Sequence, residues 1–299
     1  MRSSLLGAVF AAVLTLGVTA ARAQEIGIFN SPYADSGRLL ATGGVSNIEG
    51  AGGGGISTWA VLSGYGTVDS VGGTAHGTYI NLGSFTSTNT GAALSFFNRA
   101  ELSYNHLWFD TGNTGARLGL GKGFTLQQDV VGLKFRVFGD VVYDQDSILP
   151  QMAVGAQFKS TNHNPILHAV GAKSNEGIDF YAAFTKLFLA QNLLVDATVR
   201  MTKGNEAGLL GYGGDRYNQY APQFEGSVAY LFSKRFAVGG EYRTMPHNLG
   251  FTREDDWKTV YAAYFLNKNA SLTLAYVNLG TIATIKNQQG VYLSAQLGF

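Results

Sequence analysis

The sequence predicts an all-β protein, a transmembrane antiparallel up-and-down β-barrel, on three observations. Segments of about ten residues alternate apolar with polar side chains, which is the period of a strand. Short and long connections between those segments alternate along the chain. The last segment, Gly290 to Phe299, also alternates and stops on an aromatic residue.

Composition narrows the class first. Forty glycines without a Gly-x-y period exclude collagen. With 45% apolar and 12% aromatic residues, the chain is not of a disordered type. It has no cysteine, which excludes a disulfide scaffold, a thiolate metal site and a lipid-bearing N-terminus. Past the first residues, no apolar run is long enough for a transmembrane helix.

The chain opens with a signal peptide over residues 1–23. Arg2 gives the positive start, Leu5 to Val18 the apolar stretch, and Ala21-Arg22-Ala23 a small-x-small cleavage site. Cleavage removes two arginines from a chain of formal charge +1, leaving a slightly acidic protein that does not suit nucleic acid. Residues 24–36 read as a periplasmic N-terminal segment or possible plug, because Ile26, Ile28, Phe29 and Tyr33 precede the first strand. Residues 37–299 read as the barrel.

Strands are expected at 56–66, 74–83, 90–97, 100–110, 128–138, 150–160, 177–188, 192–202, 221–232, 235–245, 256–266, 270–279 and 290–299. Single-chain bacterial barrels have even strand numbers, so Arg38 to Val45 is added as a fourteenth; twelve is the alternative if the weak early segments are not separate strands. Gly52 to Gly55 reads as a flexible connector, with a close-approach segment as the other reading. Tight links at Asn98, Lys234 and Lys268 are assigned to the periplasm, and longer ones holding Asn162, Asn218 and Glu254 to the outside. Trp59, Tyr65, Trp108, Tyr230, Tyr242, Trp257 and Tyr276 fall toward strand ends, as interfacial girdles do.

Strand parity turns nine charged residues inward: Glu101, Lys134, Arg136, Asp179, Asp196, Arg200, Glu225, Glu241 and Arg243. A lipid-facing Arg or Lys at mid-depth costs about 2–4 kcal/mol, so the lumen is their physical place. There they either tune a polar conduit or pair with one another in a closed interior. Phe299 resembles the terminal aromatic of the carboxy-terminal assembly signal of outer-membrane barrels, which implies the barrel-assembly machinery as a partner. Outer-membrane lipids and lipopolysaccharide would surround the wall.

No cofactor, metal or catalytic constellation is expected. Asp140, Asp144 and Asp146, and Glu254 to Asp256, lack EF-hand spacing and read as solvated turns. Gly211 to Asp215 lacks the Lys-Ser/Thr ending of a phosphate loop. None of His76, His106, His163, His168 and His247 sits in a Ser-His arrangement, and Gly-x-Ser-x-Gly is absent, so the protein reads as a non-enzyme.

Several phrases together carry a resemblance: Gly55-Ile56-Ser57-Thr58-Trp59-Ala60, Gly208 to Asp215, Glu241-Tyr242-Arg243, Arg253 to Trp257, and Ala275 to Gly280. They resemble an uncharacterised family of exported proteobacterial outer-membrane proteins known as a domain of unknown function, over nearly the whole mature chain. The resemblance implies an envelope location and transfers no site residue. The expected function is that of a channel or transporter for a small solute or apolar compound in the bacterial outer membrane. The alternative is a structural or surface-interaction barrel without transport.

Overall fold

The computed structural model describes residues 40–142 and 144–299. The expected signal peptide, residues 1–23, and the expected N-terminal segment or plug, 24–36, lie outside the described residues. Two two-residue strands, β1 (Val45–Ser46) and β2 (Gly52–Gly53), form a sheet of their own apart from the wall. The wall follows as β3 (Val71–Asn81), β4 (Thr86–Phe96), β5 (Ala100–Asp110), β6 (Thr125–Phe138), β7 (Gln151–Thr161) and β8 (Glu176–Phe188). It continues as β9 (Leu193–Thr202), β10 (Ala221–Ser233), β11 (Phe236–Arg243), β12 (Trp257–Phe265), β13 (Ala270–Ile282) and β14 (Ile285–Gly298).

Each wall strand pairs antiparallel with its sequence neighbours, and β14 closes on β3 from Val291↔Asn81 to Gly298↔Thr74. The barrel therefore has twelve strands, not fourteen. It begins at Val71, so the expected strands at 38–45 and 56–66 are not part of the wall. Of these, residues 40–45 and 56–66 run inside the barrel, where every position from Ala41 to Tyr65 is buried. The backbone groups of such a segment must find partners other than a neighbouring strand.

Alternation places each side chain. On β6, Val131, Leu133 and Phe135 are exposed, whereas Lys134 between them is buried. Phe224 and Val228 on β10, Val260 on β12 and Leu274 on β13 likewise point outward. This apolar belt meets lipid. Trp108, Tyr230, Tyr242 and Tyr276 are exposed on it, but Trp59, Tyr65 and Trp257 are buried in the interior and belong to no girdle. Strand-end position alone does not distinguish an interfacial aromatic from an inward one; parity does.

Connections carry the remaining structure. The β5–β6 link holds helix α1 (Thr114–Arg117) and the β7–β8 link holds α2 (Asn164–Ala169). Asn98, Lys234 and Lys268 fall at one end of the barrel, and Asn162, Asn218 and Glu254 at the other. The alternation has exceptions: the β6–β7 link at the short-turn end is long, and the β3–β4 and β13–β14 links at the other end are tight. Because the chain lacks cysteine, single cysteines report orientation cleanly. A membrane-impermeant maleimide should label N218C and H163C on intact cells and leave K234C and K268C unlabelled; the opposite pattern would reverse the orientation.

Candidate functional site

The lumen is filled from both ends. From the short-turn end, residues 40–65 enter, bend at Gly50 and return to β3 through Gly66–Ser70. Glu49 is the only charged residue between Leu39 and Val68, and many of its neighbours are glycine. Much of the plug surface is consequently backbone that polar wall side chains can reach, while Ile56, Trp59 and Val61 join an apolar cluster with Trp257, Tyr261 and Tyr292 of the wall.

Three inward carboxylates hold plug amides. Glu241 accepts from Gly55 N–H and Ile56 N–H, both at 2.9 Å, and from Ser57 N–H at 3.3 Å, with Thr259 donating from the wall at 3.1 Å. The Ser57 hydroxyl also donates to it. A Cβ on Gly54 would collide with this carboxylate, so Gly52 to Gly55 is a close-approach segment and not a free connector. Glu101 accepts from Gly52 N–H at 3.2 Å and Ser63 N–H at 2.7 Å. Glu225 accepts from Thr58 N–H at 2.7 Å.

Cations take the plug carbonyls. Lys134 Nζ donates to Gly52 O and Val61 O, each at 2.8 Å, and pairs with Glu101 at 3.2 Å. Arg243 donates to Ile56 O at 3.2 Å. Neutral groups add to the set, with Gln151 on Ala60 O at 2.6 Å and Thr198 on Thr58 O at 2.6 Å. Asp196 acts one step removed: Thr185 donates to it at 2.5 Å and accepts from Ala60 N–H at 2.7 Å.

A second group of charges lies deeper. Arg200 donates to Glu225 at 2.6 Å and Gln157 at 2.6 Å, and reaches Thr58 of the plug at 2.9 Å. Lys159 Nζ pairs with Glu49 at 2.5 Å and with Asp179 at 2.7 Å. Burial alone would raise the Glu49 pKa, but Arg200, Arg243 and Lys159 hold it well below the usual carboxylate range.

Eight of the nine sequence-derived charges thus converge on the plug or on one another. Arg136 does not; it pairs with Asp140 at 3.1 Å near the short-turn end. The parity that marks the nine also marks Lys159. Glu49 carried a different signal, a lone charge in a long uncharged stretch. Phe299 N–H donates to Gly73 O at 3.0 Å, and Phe299 O accepts from Gly73 N–H at 3.1 Å and from Tyr65 N–H at 2.9 Å, tying the chain end to both wall and plug.

The other end of the lumen is closed by the β9–β10 link. Its turn Asn205–Gly208 places Glu206 and Ala207 at φ of 45° and 57°, a left-handed conformation costing about 1–2 kcal/mol per non-glycine residue. Wall groups hold it there: Lys159 donates to Ala207 O at 3.2 Å and Thr161 to Gly208 O at 3.0 Å. Lys159 therefore touches both closures. Glu254, expected in a solvated turn, is instead buried and accepts from Glu206 N–H at 2.7 Å.

Burial raises the Glu254 pKa to about 8, and burial together with Glu254 raises Glu206 well above its ordinary value. An acid that holds its proton more tightly when folded contributes most below its unfolded pKa near 4.5. That contribution is lost as pH rises through the folded value. Proteolysis within 203–220 should therefore accelerate, on the order of tenfold or more, between pH 5 and pH 9. E254Q should flatten the profile, and an unchanged profile would remove the pair from the closure.

Two histidines are engaged with residues of the wall. His76 meets Asn105 at 3.2 Å in the interior, and His106 meets Asp129 at 2.7 Å on the outward face. Among the described residues, no group of three or more His, Asp or Glu is placed to hold a metal ion.

The family described as "Protein of unknown function (DUF3034)" matches residues 42–296, and the chain belongs to it. No curated protein matches the chain. Among solved structures, the KdgM porin in complex with disordered oligogalacturonate is 13% identical, with a TM-score of 0.50, over 76% of this chain and 99% of that one. The NanC porin is 10% identical, with a TM-score of 0.48, over 76% and 98% of the two chains. The outer membrane phospholipase A from Escherichia coli is 10% identical, with a TM-score of 0.41, over 76% and 92%. These likenesses concern the fold. With a closed wall and an apolar outer belt, the protein is a bacterial outer-membrane barrel.

Proposed function

We propose that this DUF3034 protein is a conduit for a small polar solute, closed at rest by residues 40–65 and by the β9–β10 link. The observation that carries the reading is the chemistry of the plug contact. Wall side chains bind plug backbone through hydrogen bonds and ion pairs, which water and solute can replace once the plug moves. A permanently filled interior is better served by apolar packing, because a buried ion pair often stabilises less than a hydrophobic pair of equal volume. A porin of the same fold, KdgM, has been captured with an oligogalacturonate, which is consistent with solute passage through such a wall. The reading is non-enzymatic: His76 and His106 meet Asn105 and Asp129, and the sequence carries no Gly-x-Ser-x-Gly motif.

The Ser46 and Thr74 hydroxyls lie 3.3 Å apart, one on the plug and one on β3. A disulfide in S46C/T74C would lock the plug without removing any of it. Reduced protein in planar bilayers should conduct weakly, and more strongly in urea too dilute to open the wall. Oxidation should abolish both currents. Silence of the reduced form under both conditions, with no uptake change in a deletion strain, would leave the structural or surface-interaction reading in its place.

A further inference from the structure

Glu49 is the plug's one buried charge, and it sits among three cations of the wall. Its Oε1 meets Lys159 at 2.5 Å and Arg243 at 2.8 Å, and its Oε2 meets Arg200 at 3.2 Å. All four residues are almost fully buried. Oε1 accepts hydrogen bonds from Lys159 and Arg243, on different strands, while Oε2 lies within ion-pair distance of Arg200 without a hydrogen bond of its own.

The charge balance of this cluster is telling. Its cations are Lys159, Arg200 and Arg243, and its carboxylates are Asp179, Glu225 and Glu49. Two of the three carboxylates belong to the wall and stay with it. Glu49 leaves with the plug. Plug withdrawal thus exposes, in a lumen that water enters, a site with one uncompensated positive charge, which attracts an anion. The Arg200 guanidinium is oriented from behind by Glu225 at 2.6 Å and Gln157 at 2.6 Å and keeps both when Glu49 departs, and Arg243 keeps Glu225 at 3.6 Å.

We propose that Lys159, Arg200 and Arg243 form a binding site for the carboxylate of the transported solute, and that Glu49 fills it in the closed protein. The proposal rests on the conduit reading above and adds the substrate class: small organic anions bearing a carboxylate. Solute and Glu49 compete for the same three cations. Arrival of the solute consequently stabilises the plug-out state in proportion to its occupancy, so that the substrate assists the opening.

Chemical rescue tests the site without any measurement of current. In full-length protein, E49A leaves a cavity shaped for a carboxylate beside three cations. Its unfolding, followed by heat-modifiable migration, should occur at lower temperature than in the native protein. Acetate should recover most of the loss, whereas chloride at equal ionic strength and neutral acetamide should not, and the native protein should respond to none of them. Adding R243M to E49A should abolish the recovery. If E49A folds poorly, its refolding yield from urea into detergent reads the same comparison between acetate and chloride.

Equal recovery in chloride, or none in acetate, would overturn the carboxylate site. The two ideas separate cleanly. Rescue by acetate in a protein that never conducts would support the site and sink the conduit. Conduction that is closed by the S46C/T74C disulfide, without acetate rescue, would keep the conduit and sink the site.

Discussion

E241A should free the plug while leaving the wall closed. Glu241 gathers three consecutive plug amides and the Ser57 hydroxyl, and its removal orphans three buried N–H groups at once. Hydrogen bonds to a charged acceptor are each worth about 1.5–3 kcal/mol, and even with strong non-additivity the loss exceeds that of any other single plug contact. The pairing of β11 with β10 and β12 is made by backbone and is untouched. A cysteine at Ala60, fully buried beneath the wall, should resist maleimide in the native protein. In the E241A background it should react at least tenfold faster, with heat-modifiable migration preserved. E241Q should fall between, since it keeps one acceptor oxygen. Unchanged labelling in E241A would mean that other contacts hold the plug.

R200M should damage the whole barrel. Arg200 compensates Glu225, Asp179 and Glu49, and its guanidinium also lies 5.2 Å from the Tyr181 ring centroid. Its removal strands carboxylates in the interior, and breaking a buried pair this way costs about 3–5 kcal/mol. The urea midpoint of the folded barrel should fall accordingly. R200K should not restore it, because an ammonium has three donors and no planar fork to serve partners on both sides. Combining R200M with E49Q should recover part of the loss, and the size of that recovery measures the coupling across the plug interface. A midpoint unchanged in R200M would show that water reaches and screens these charges.

The wall was legible because period-two patterning survives along most of its strands, the polar start of β4 from Thr86 to Thr90 being an exception. The expected segment 100–110 coincides with β5, and 221–232 falls one residue short of β10. Inward charges followed from the same parity, from Glu101 on β5 to Arg243 on β11. The plug was not legible, for a physical reason. Ile56 to Tyr65 has the composition of a strand, but its amides and carbonyls are satisfied by Glu241, Glu225, Lys134 and Gln151, which lie 73 to 185 residues away on four different strands. Nothing in the local sequence announces partners so distant. Evenness of strand number offered no help, since twelve satisfies it as well as fourteen. Glu254 was misjudged for a related reason: an acidic run reads as solvated unless another loop, here the one carrying Glu206, folds over it.

The plug is joined to β3 only by Gly66–Ser70. Fully extended, those five residues reach roughly 17 Å. A released plug therefore stays leashed at the barrel mouth, and its return is an intramolecular event at an effective concentration on the order of millimolar. A solute that competes with it from bulk solution must match that local concentration or bind better than the plug does. Opening would then be brief and self-limiting, with the open time set by how quickly a short leash brings its own end home.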